Sequence, residues 1–453
     1  MASVFTERLC DAVRACDGGD AAMRGLIGRA MVDTLGVAAA GFSELVTRLT
    51  LDAYRGGGAA CWSGDACESE EAAVMIDAIA AHALDFDDVF LESAIHPSTV
   101  ILPAVLRPDR NDAPSEIVAA FGAGLIAAQA VAARVGLGHY HKGWHGTGTI
   151  GAFAAAAAAG RLRRLDERQL ATMFSIVASQ SAGLKVNFGT MTKPAHAGFA
   201  AAAGVRAAHL AQAGFTAAED IFGPGGYADL YGTPDGREHP ADDVYRLRAD
   251  RIALKLYPCC YGTHRLIGIA LDARAALGSG LADDRTRIRV TVPKGSIDVL
   301  RYDRPRTGLE AKFSGPYTIA VALLDGLPTL DHFVDEATSR PDVQACMERI
   351  SVVQDSTQDS GGDIEFGTVT LDAFDNSGKS RGSFSRHAIP GSPDDPPSPQ
   401  DVLAKFESCT GIFARARGTP LPVLRQGGAI PEVRHWLQGA SESPVRLRAA
   451  GGR

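Results

Sequence analysis

The stretch Ala21-Ala-Met-Arg-Gly-Leu-Ile-Gly-Arg-Ala-Met-Val-Asp-Thr-Leu-Gly-Val-Ala-Ala-Ala-Gly41 places apolar residues at helical spacing on more than one face. A helix that is apolar nearly all round is one buried among other helices. Residues 71–86, 115–135, 150–160, 167–182 and 196–213 repeat the style, long and rich in alanine, and small side chains let such helices pack closely. The pattern predicts a large helical bundle up to about residue 255, without strands.

The character changes after Tyr257-Pro-Cys-Cys260. Arg287–Val292 alternates apolar and polar residues, as a half-buried strand does. Ile350–Val353 and Ile364–Leu371 read as further strands, and a turn at Asn376-Ser377-Gly378 could return the last as a hairpin. Tyr317–Leu324 and Val343–Arg349 read as helices between them. Residues 390–399 are too rich in proline for helix or central strand. Beyond them Asp401–Phe413 resumes helical periodicity, and the polar tail from Ser441 should fray. The expected fold class is mainly α with a smaller α+β domain. A helical domain spans residues 1–255, an α+β lid 256–399, and residues 400–453 return to the helical domain.

A chain of 453 residues is long enough for two or three domains, and 46% hydrophobic with 22% charged residues is ordinary for a soluble protein. The net charge of −8 argues against a general nucleic-acid binder, which needs a basic face. The cysteines at 10, 16, 61, 67, 259, 260, 346 and 409 show no CxxC pairing, which favours a reduced, cytoplasmic protein. No run of 18 strongly apolar residues and no signal-peptide core is evident, so no membrane association is expected.

Chemistry concentrates in His82-Ala-Leu-Asp85-Phe-Asp87-Asp88-Val-Phe-Leu-Glu92-Ser-Ala-Ile-His96-Pro97-Ser98, where two histidines and four carboxylates fall within fifteen residues. Burying such groups costs several kcal/mol unless they are paired, so the stretch is either a surface turn or a site. Asp85, three residues after His82, falls on one helical face, and His96-Pro97 ends any helix. Four more stretches fall at or near breaks between the buried segments: His139-Tyr140-His141-Lys142-Gly-Trp144-His145-Gly-Thr-Gly-Thr, Thr192-Lys193-Pro194-Ala-His196, Tyr257-Pro-Cys-Cys-Tyr-Gly-Thr263-His264-Arg265, and Tyr317 at a helix start. Singly, each has a bland reading. A lone histidine is more often a satisfied structural residue, Lys193 reads equally as a solvated helix-start residue, and Cys259 and Cys260 as packing groups. Together they are harder to dismiss.

Three motifs fail on context. Gly146-x-Gly148-x-x-Gly151 spells the dinucleotide fingerprint, but no strand precedes it. Asp87-Asp88-Val-Phe-Leu-Glu92 resembles the magnesium-binding helix of terpene synthases, yet a second metal motif is missing and aromatics are only 7%. His141 and His145 have the spacing of two zinc ligands on a helix, but Gly143 and Gly146 favour a loop.

Asp85-Phe-Asp-Asp with His96-Pro-Ser, Gly143-Trp-His145, Thr192-Lys193-Pro-x-His196, Tyr257-Pro-Cys-Cys with Thr263-His264, and Tyr317 ahead of Leu324-Asp-Gly resemble, in order, the signature of the MmgE/PrpD family. That family includes 2-methylcitrate dehydratase, cis-aconitate decarboxylase and iminodisuccinate epimerase. The resemblance implies an all-helical domain discontinuous in sequence, an α+β lid, an active site between them, a homodimer and no cofactor or metal. By similarity to its decarboxylase branch, Asp85, His96, His145, Lys193 and Tyr317 are expected to be catalytic, although Val89 stands where that branch has threonine. Thr192, His196, His264, Arg265 and Lys142 are expected to bind substrate. The implied partner is a small anionic polycarboxylate, and the implied chemistry passes through a carbanion or enediolate beside a carboxylate. Lysine, histidine and arginine charge would stabilise it, with His96 as the main acid/base, oriented by Asp85. A lyase is the leading reading, an epimerase with two opposed bases the alternative, and an inactive carboxylate-binding protein a third.

Overall fold

The computed structural model describes residues 3–442 apart from 92, 93, 238, 239, 279, 280, 282–284 and 362. Glu92 and most of the polar tail therefore lie outside the described residues. Helices dominate, and one small α+β unit accompanies them.

The helix Ala21–Gly41 begins at Asp20, whose carboxylate accepts the Met23 N–H at 2.9 Å and so satisfies one orphan donor. Ser69 caps the helix Glu70–His82 in the same way. The helix Thr192–Gln212 lies against both Glu70–His82 and Gly146–Leu162. A Cβ at Gly198 would sit 2.7 Å from the Met75 carbonyl, and one at Gly204 would sit 2.5 Å from the Ala156 nitrogen. Only glycine permits that approach, which explains why these helices are built from alanine and glycine. Together with Pro97–Val105 and Pro114–Val135 they enclose the main core.

The helix Pro114–Val135 is, by length and composition, long and apolar enough to cross a membrane, contrary to the sequence reading; it is, however, largely buried inside the fold. The bundle also contains short strands that the periodicity hid. Arg55–Ala60 pairs with Ala66–Cys67, and Val89–Phe90 pairs antiparallel with Ile252–Ala253. The two-residue strand Val89–Phe90 and the glycine run Gly56-Gly57-Gly58 carry no alternation for a sequence pattern to show. The expected helix over 71–86 stops at His82, and the one over 167–182 stops at Ala178.

In the second unit, a four-stranded sheet runs in the order Ile350–Asp359, Thr286–Lys294, Val369–Asp375, Ser380–Arg386. The first pair is parallel, with Val290 opposite Val352, and the others are antiparallel. Ile288, Val290, Val292, Leu371 and Ala373 share a core with residues of the helices His264–Leu277 and Gly315–Leu324. The hairpin turns at Asn376-Ser377-Gly378, where Gly378 has φ 86°. The strand expected from Ile364 begins only at Val369, after a turn through Gly367 at φ 71°. The helix Pro399–Arg417, opened by a Ser398/Asp401 capping box, packs on Ala21–Gly41 and puts Phe413 into the main core.

Candidate active site

A cleft is lined by residues of both units. Its floor is the chain between the helices Glu70–His82 and Pro97–Val105. The first helix ends at His82, and Asp85 takes φ 53°, a left-handed conformation that aspartate tolerates better than bulkier residues. Asp85 therefore does not share a helical face with His82, as its spacing had suggested. The turn instead aims its carboxylate at two lysines.

Lys193 stands in the first turn of Thr192–Gln212, and its Nζ lies 2.8 Å from Asp85 Oδ1. Lys255 follows the strand Ile252–Ala253, so the two-residue ladder to Val89–Phe90 delivers it to the same carboxylate. Its Nζ donates to Asp85 Oδ1 and, at 3.0 Å, to the Asp85 carbonyl. Burial alone would raise the Asp85 pKa, but Lys193 and Lys255 hold it well below the usual carboxylate range. Lys255 is fully buried; desolvation pulls its pKa down, Asp85 and Asp87 outweigh that, and the net shift is upward.

The histidines are ordered by a second carboxylate. Asp87 Oδ2 lies 2.9 Å from both His82 Nδ1 and His96 Nδ1. The His96 Nδ1 also meets the Asp88 carbonyl at 2.8 Å. Acceptors on Nδ1 fix the proton there, leaving each Nε2 with its lone pair. Lys193 Nζ lies 3.1 Å from His82 Nε2, as that tautomer requires. His96 lines the cleft, so its Nε2 is the free basic nitrogen of the pair. Burial lowers the pKa of His96 and takes that of His82 down to about 3, against the pull of Asp87. Both rings are neutral at pH 7. Asp88, buried and accepting from the Ser98 N–H and hydroxyl, is pushed up to about 8 by desolvation.

His145, at the N-terminus of Gly146–Leu162, contributes a third ring. Its Nδ1 pairs with His196 Nδ1 at 2.9 Å, while its Nε2 is buried without a partner. Burial, then Lys193, hold its pKa well below 6.5. The His96 and His145 ring centroids are 6.2 Å apart.

Nitrogens of His82, His96 and His145 fall within 4.8 Å of one another, a spacing a metal could use. The donor set does not fit one. The Lys193 ammonium already stands at His82 Nε2 and Asp85 Oδ1. A cation would have to displace a lysine.

Asp85, His96, His145 and Lys193 are thus brought together, with His196 behind His145. The other expected residues are elsewhere. Tyr317 is buried in the lid core, its hydroxyl donating to the His332 carbonyl at 2.5 Å. His264 is fully buried between the Tyr257 and Pro390 carbonyls. Arg265 spends its guanidinium on the carbonyls of Ile364, Phe366 and Gly367, shaping the lid loop rather than facing the cleft. Lys142 is exposed and bonds the Gly232 carbonyl, and Thr192 is exposed at the helix start. Sequence reasoning overlooked Lys255, His82 and Asp87 as working groups. A lone lysine inside Leu254-Lys255-Leu256, with no solvent-facing register, was the available signal. Lys405 was also overlooked: from Pro399–Arg417 it reaches the Phe86 carbonyl at 2.6 Å, the Lys255 carbonyl at 3.0 Å and Asp33 Oδ1 at 2.6 Å.

A helical domain, an α+β lid and a buried lysine–aspartate–histidine cluster in the cleft between them define the class of protein. The chain belongs to the MmgE/PrpD family: the family's N-terminal domain matches residues 7–238 and its C-terminal domain residues 257–418. Cis-aconitate decarboxylase of Mus musculus is 27% identical over 301 residues, covering 62% of this chain and 60% of that protein. The Homo sapiens cis-aconitate decarboxylase is 25% identical over 294 residues, with the same coverages of 62% and 60%. That of Aspergillus terreus is 25% identical over 340 residues, 68% of each chain. The match therefore spans less than two thirds of the mouse and human relatives.

Proposed function

We propose that the protein is a cofactor-independent lyase that moves a proton beside a carboxylate of a small di- or tricarboxylate. The observation that carries this is His96, a neutral ring held by Asp87 through Nδ1 with its other nitrogen left for the cleft. In an elimination, Nε2 takes the proton next to the carboxylate, the electron pair enters that carboxylate as an enediolate, and the β-substituent leaves. In a decarboxylation CO₂ leaves, its C–C electron pair enters the enediolate, and the carbon then takes a proton that His96 Nε2 has first acquired from solvent. Lys193 and Lys255 stand where the developing negative charge needs a fixed cation. Kinship to cis-aconitate decarboxylases supports a lyase over other outcomes.

An epimerase is the second reading, and the unpartnered His145 Nε2 favours it, because His96 and His145 would then be the two bases. Proton NMR in D₂O with 2-methylcitrate, cis-aconitate, citrate and iminodisuccinate separates the two. A new vinyl signal or lost CO₂ marks a lyase, and α-deuteration with an unchanged skeleton marks an epimerase. Near-full turnover by His96→Ala would remove the basis of both.

A homodimer belongs to the same proposal. Leu45, Leu49 and Phe199 are 47%, 53% and 53% exposed, beside the small cluster that holds Val46 and Ala195. All eight cysteines are free, which suits the reducing cytoplasm included in this reading.

A further inference from the structure

Lys193 and Lys255 bring fixed positive charge to the cleft, but their hydrogens are already directed. Both ammoniums donate to Asp85 Oδ1, Lys193 also meets His82 Nε2, and Lys255 also takes the Asp85 carbonyl. An oxygen that gains charge only during the reaction needs a hydrogen-bond donor that is not spent in the resting site. Tyr317 is not that donor, because its O–H is given to the His332 carbonyl within the lid core.

Tyr140 lines the cleft and is held firmly there. It stands in the short helix Gly138–His141 and packs against the cluster of Phe188, Val299 and Phe313, three residues that also line the cleft. Lys185 Nζ lies 3.6 Å from the centre of the Tyr140 ring and donates to the Tyr140 carbonyl at 2.9 Å, so one ammonium fixes both the ring and its backbone. The same wall touches the charge cluster. Phe188 and Phe313 each lie 5.4 Å from the Lys193 ammonium, and the Phe188 ring is 4.9 Å from that of His145.

The phenol hydroxyl is uncommitted. Among the described residues it has no hydrogen-bond partner, and Tyr140 is half-buried rather than sealed in the core. Tyr261, the other tyrosine of the cleft lining, differs in that its hydroxyl is fully enclosed. Burial, then the neighbouring Cys260 and Asp85, push the Tyr140 pKa up, so the group stays an O–H donor at neutral pH and does not act as a base.

Resting on the lyase reading only through the enediolate, which an epimerase would share, we propose that Tyr140 is a catalytic residue whose hydroxyl donates to the oxygen of the substrate carboxylate that takes up the electron pair. No proton leaves the phenol; the hydrogen bond strengthens as that oxygen gains charge.

The test sets Tyr140→Phe beside Tyr317→Phe in the full chain. Both variants keep the ring and its packing and delete one hydroxyl. Proton NMR in D₂O with citrate, 2-methylcitrate, cis-aconitate and iminodisuccinate reads turnover. Tyr140→Phe should lower kcat about 10²–10³-fold, the loss that follows removal of one oxyanion donor. Its KM should stay within about threefold, and its pH profile should scale down without moving, because the lost interaction is made in the transition state by a group that does not titrate. Tyr317→Phe should keep kcat within about threefold. Fluorine NMR of the fluorotyrosine-labelled chain needs no turnover: the resonance missing from Tyr140→Phe should shift when a compound of the panel is added. Undiminished kcat in Tyr140→Phe, a displaced pH profile, an equal loss in Tyr317→Phe, or a Tyr140 resonance that no compound shifts would overturn the proposal. The two readings fail separately. A shifted resonance without product or α-deuteration would keep Tyr140 as the carboxylate donor and remove the lyase. Turnover at the parent rate by Tyr140→Phe would do the reverse.

Discussion

Lys255 reports on whether the buried charge cluster is real. Its ammonium is fully buried and its two bonds both go to Asp85, one to the carboxylate and one to the backbone carbonyl. Lys255→Met keeps most of the stem and deletes the charge, leaving the buried Asp85 carboxylate with Lys193 alone. Breaking a buried pair from one side costs about 3–5 kcal/mol. Asp85→Asn strands two ammoniums and should cost at least as much. The double variant strands only Lys193, so the single costs should exceed the double by a coupling of about 2–3 kcal/mol. Urea unfolding followed by far-UV circular dichroism at pH 7.5 reads all three. A pH series adds an independent check. The Asp85 pKa is depressed on folding, so its stabilisation is present above about 3.9 and lost as pH falls toward the folded value. Removing Lys255 raises that folded value and shrinks the contribution. Single-variant costs that simply add, within about 0.5 kcal/mol, would refute the pairing.

Asp87→Asn leaves one amide oxygen where a carboxylate had served both His82 and His96, so one ring loses its fixed tautomer. Turnover should fall about 10²–10⁴-fold, and the His96 limb of the rate profile should move to lower pH because the charge opposing burial is gone; an unchanged profile counts against the role. Burial takes the pKa of His82 and His264 to about 3 and that of His196 to about 4. Stability is therefore fully present above pH 6.5 and lost as pH falls toward those values, by up to ~1.4 kcal/mol per pH unit for each ring. An unfolding midpoint equal at pH 7.5 and 5.0 would contradict the neutral, buried cluster. Dialysis against EDTA should leave turnover unchanged, since lysines occupy the positions a metal would need; loss restored by a divalent ion would overturn that assignment.

Much of the helical layer was legible because alanine and glycine mark its close approaches along Ala21–Gly41, Pro114–Val135, Gly146–Leu162 and Thr192–Gln212, whereas Pro97–Val105, without glycine, was not expected. The stretch from His82 to Ser98 was legible as a site because ionisable groups between buried helices must be paired. Its geometry was not. Asp85 at φ 53° is decided by the two lysines waiting for it, and one of those comes from 170 residues downstream. Family resemblance carried Asp85, His96, His145 and Lys193 to one place. It also carried Tyr317, His264, Arg265, Lys142 and Thr192, whose hydrogen bonds lie with backbone carbonyls or whose side chains face solvent. A residue type at the right point in the chain does not reveal which neighbour will claim its polar atoms.

Lys405 ties two segments far apart in the chain to the buried charge cluster. From a helix that begins at Pro399 it grips the carbonyl between Asp85 and Asp87, the carbonyl of Lys255, and Asp33 near the start of the bundle. The groove on Ala21–Gly41 stays uncovered until the helix Pro399–Arg417 has been made and has docked on it. A nascent or prematurely terminated chain would hold its lysines and aspartates without the brace that sets their spacing. In this architecture the spacing of the buried charge cluster is set only when that distant helix is in place.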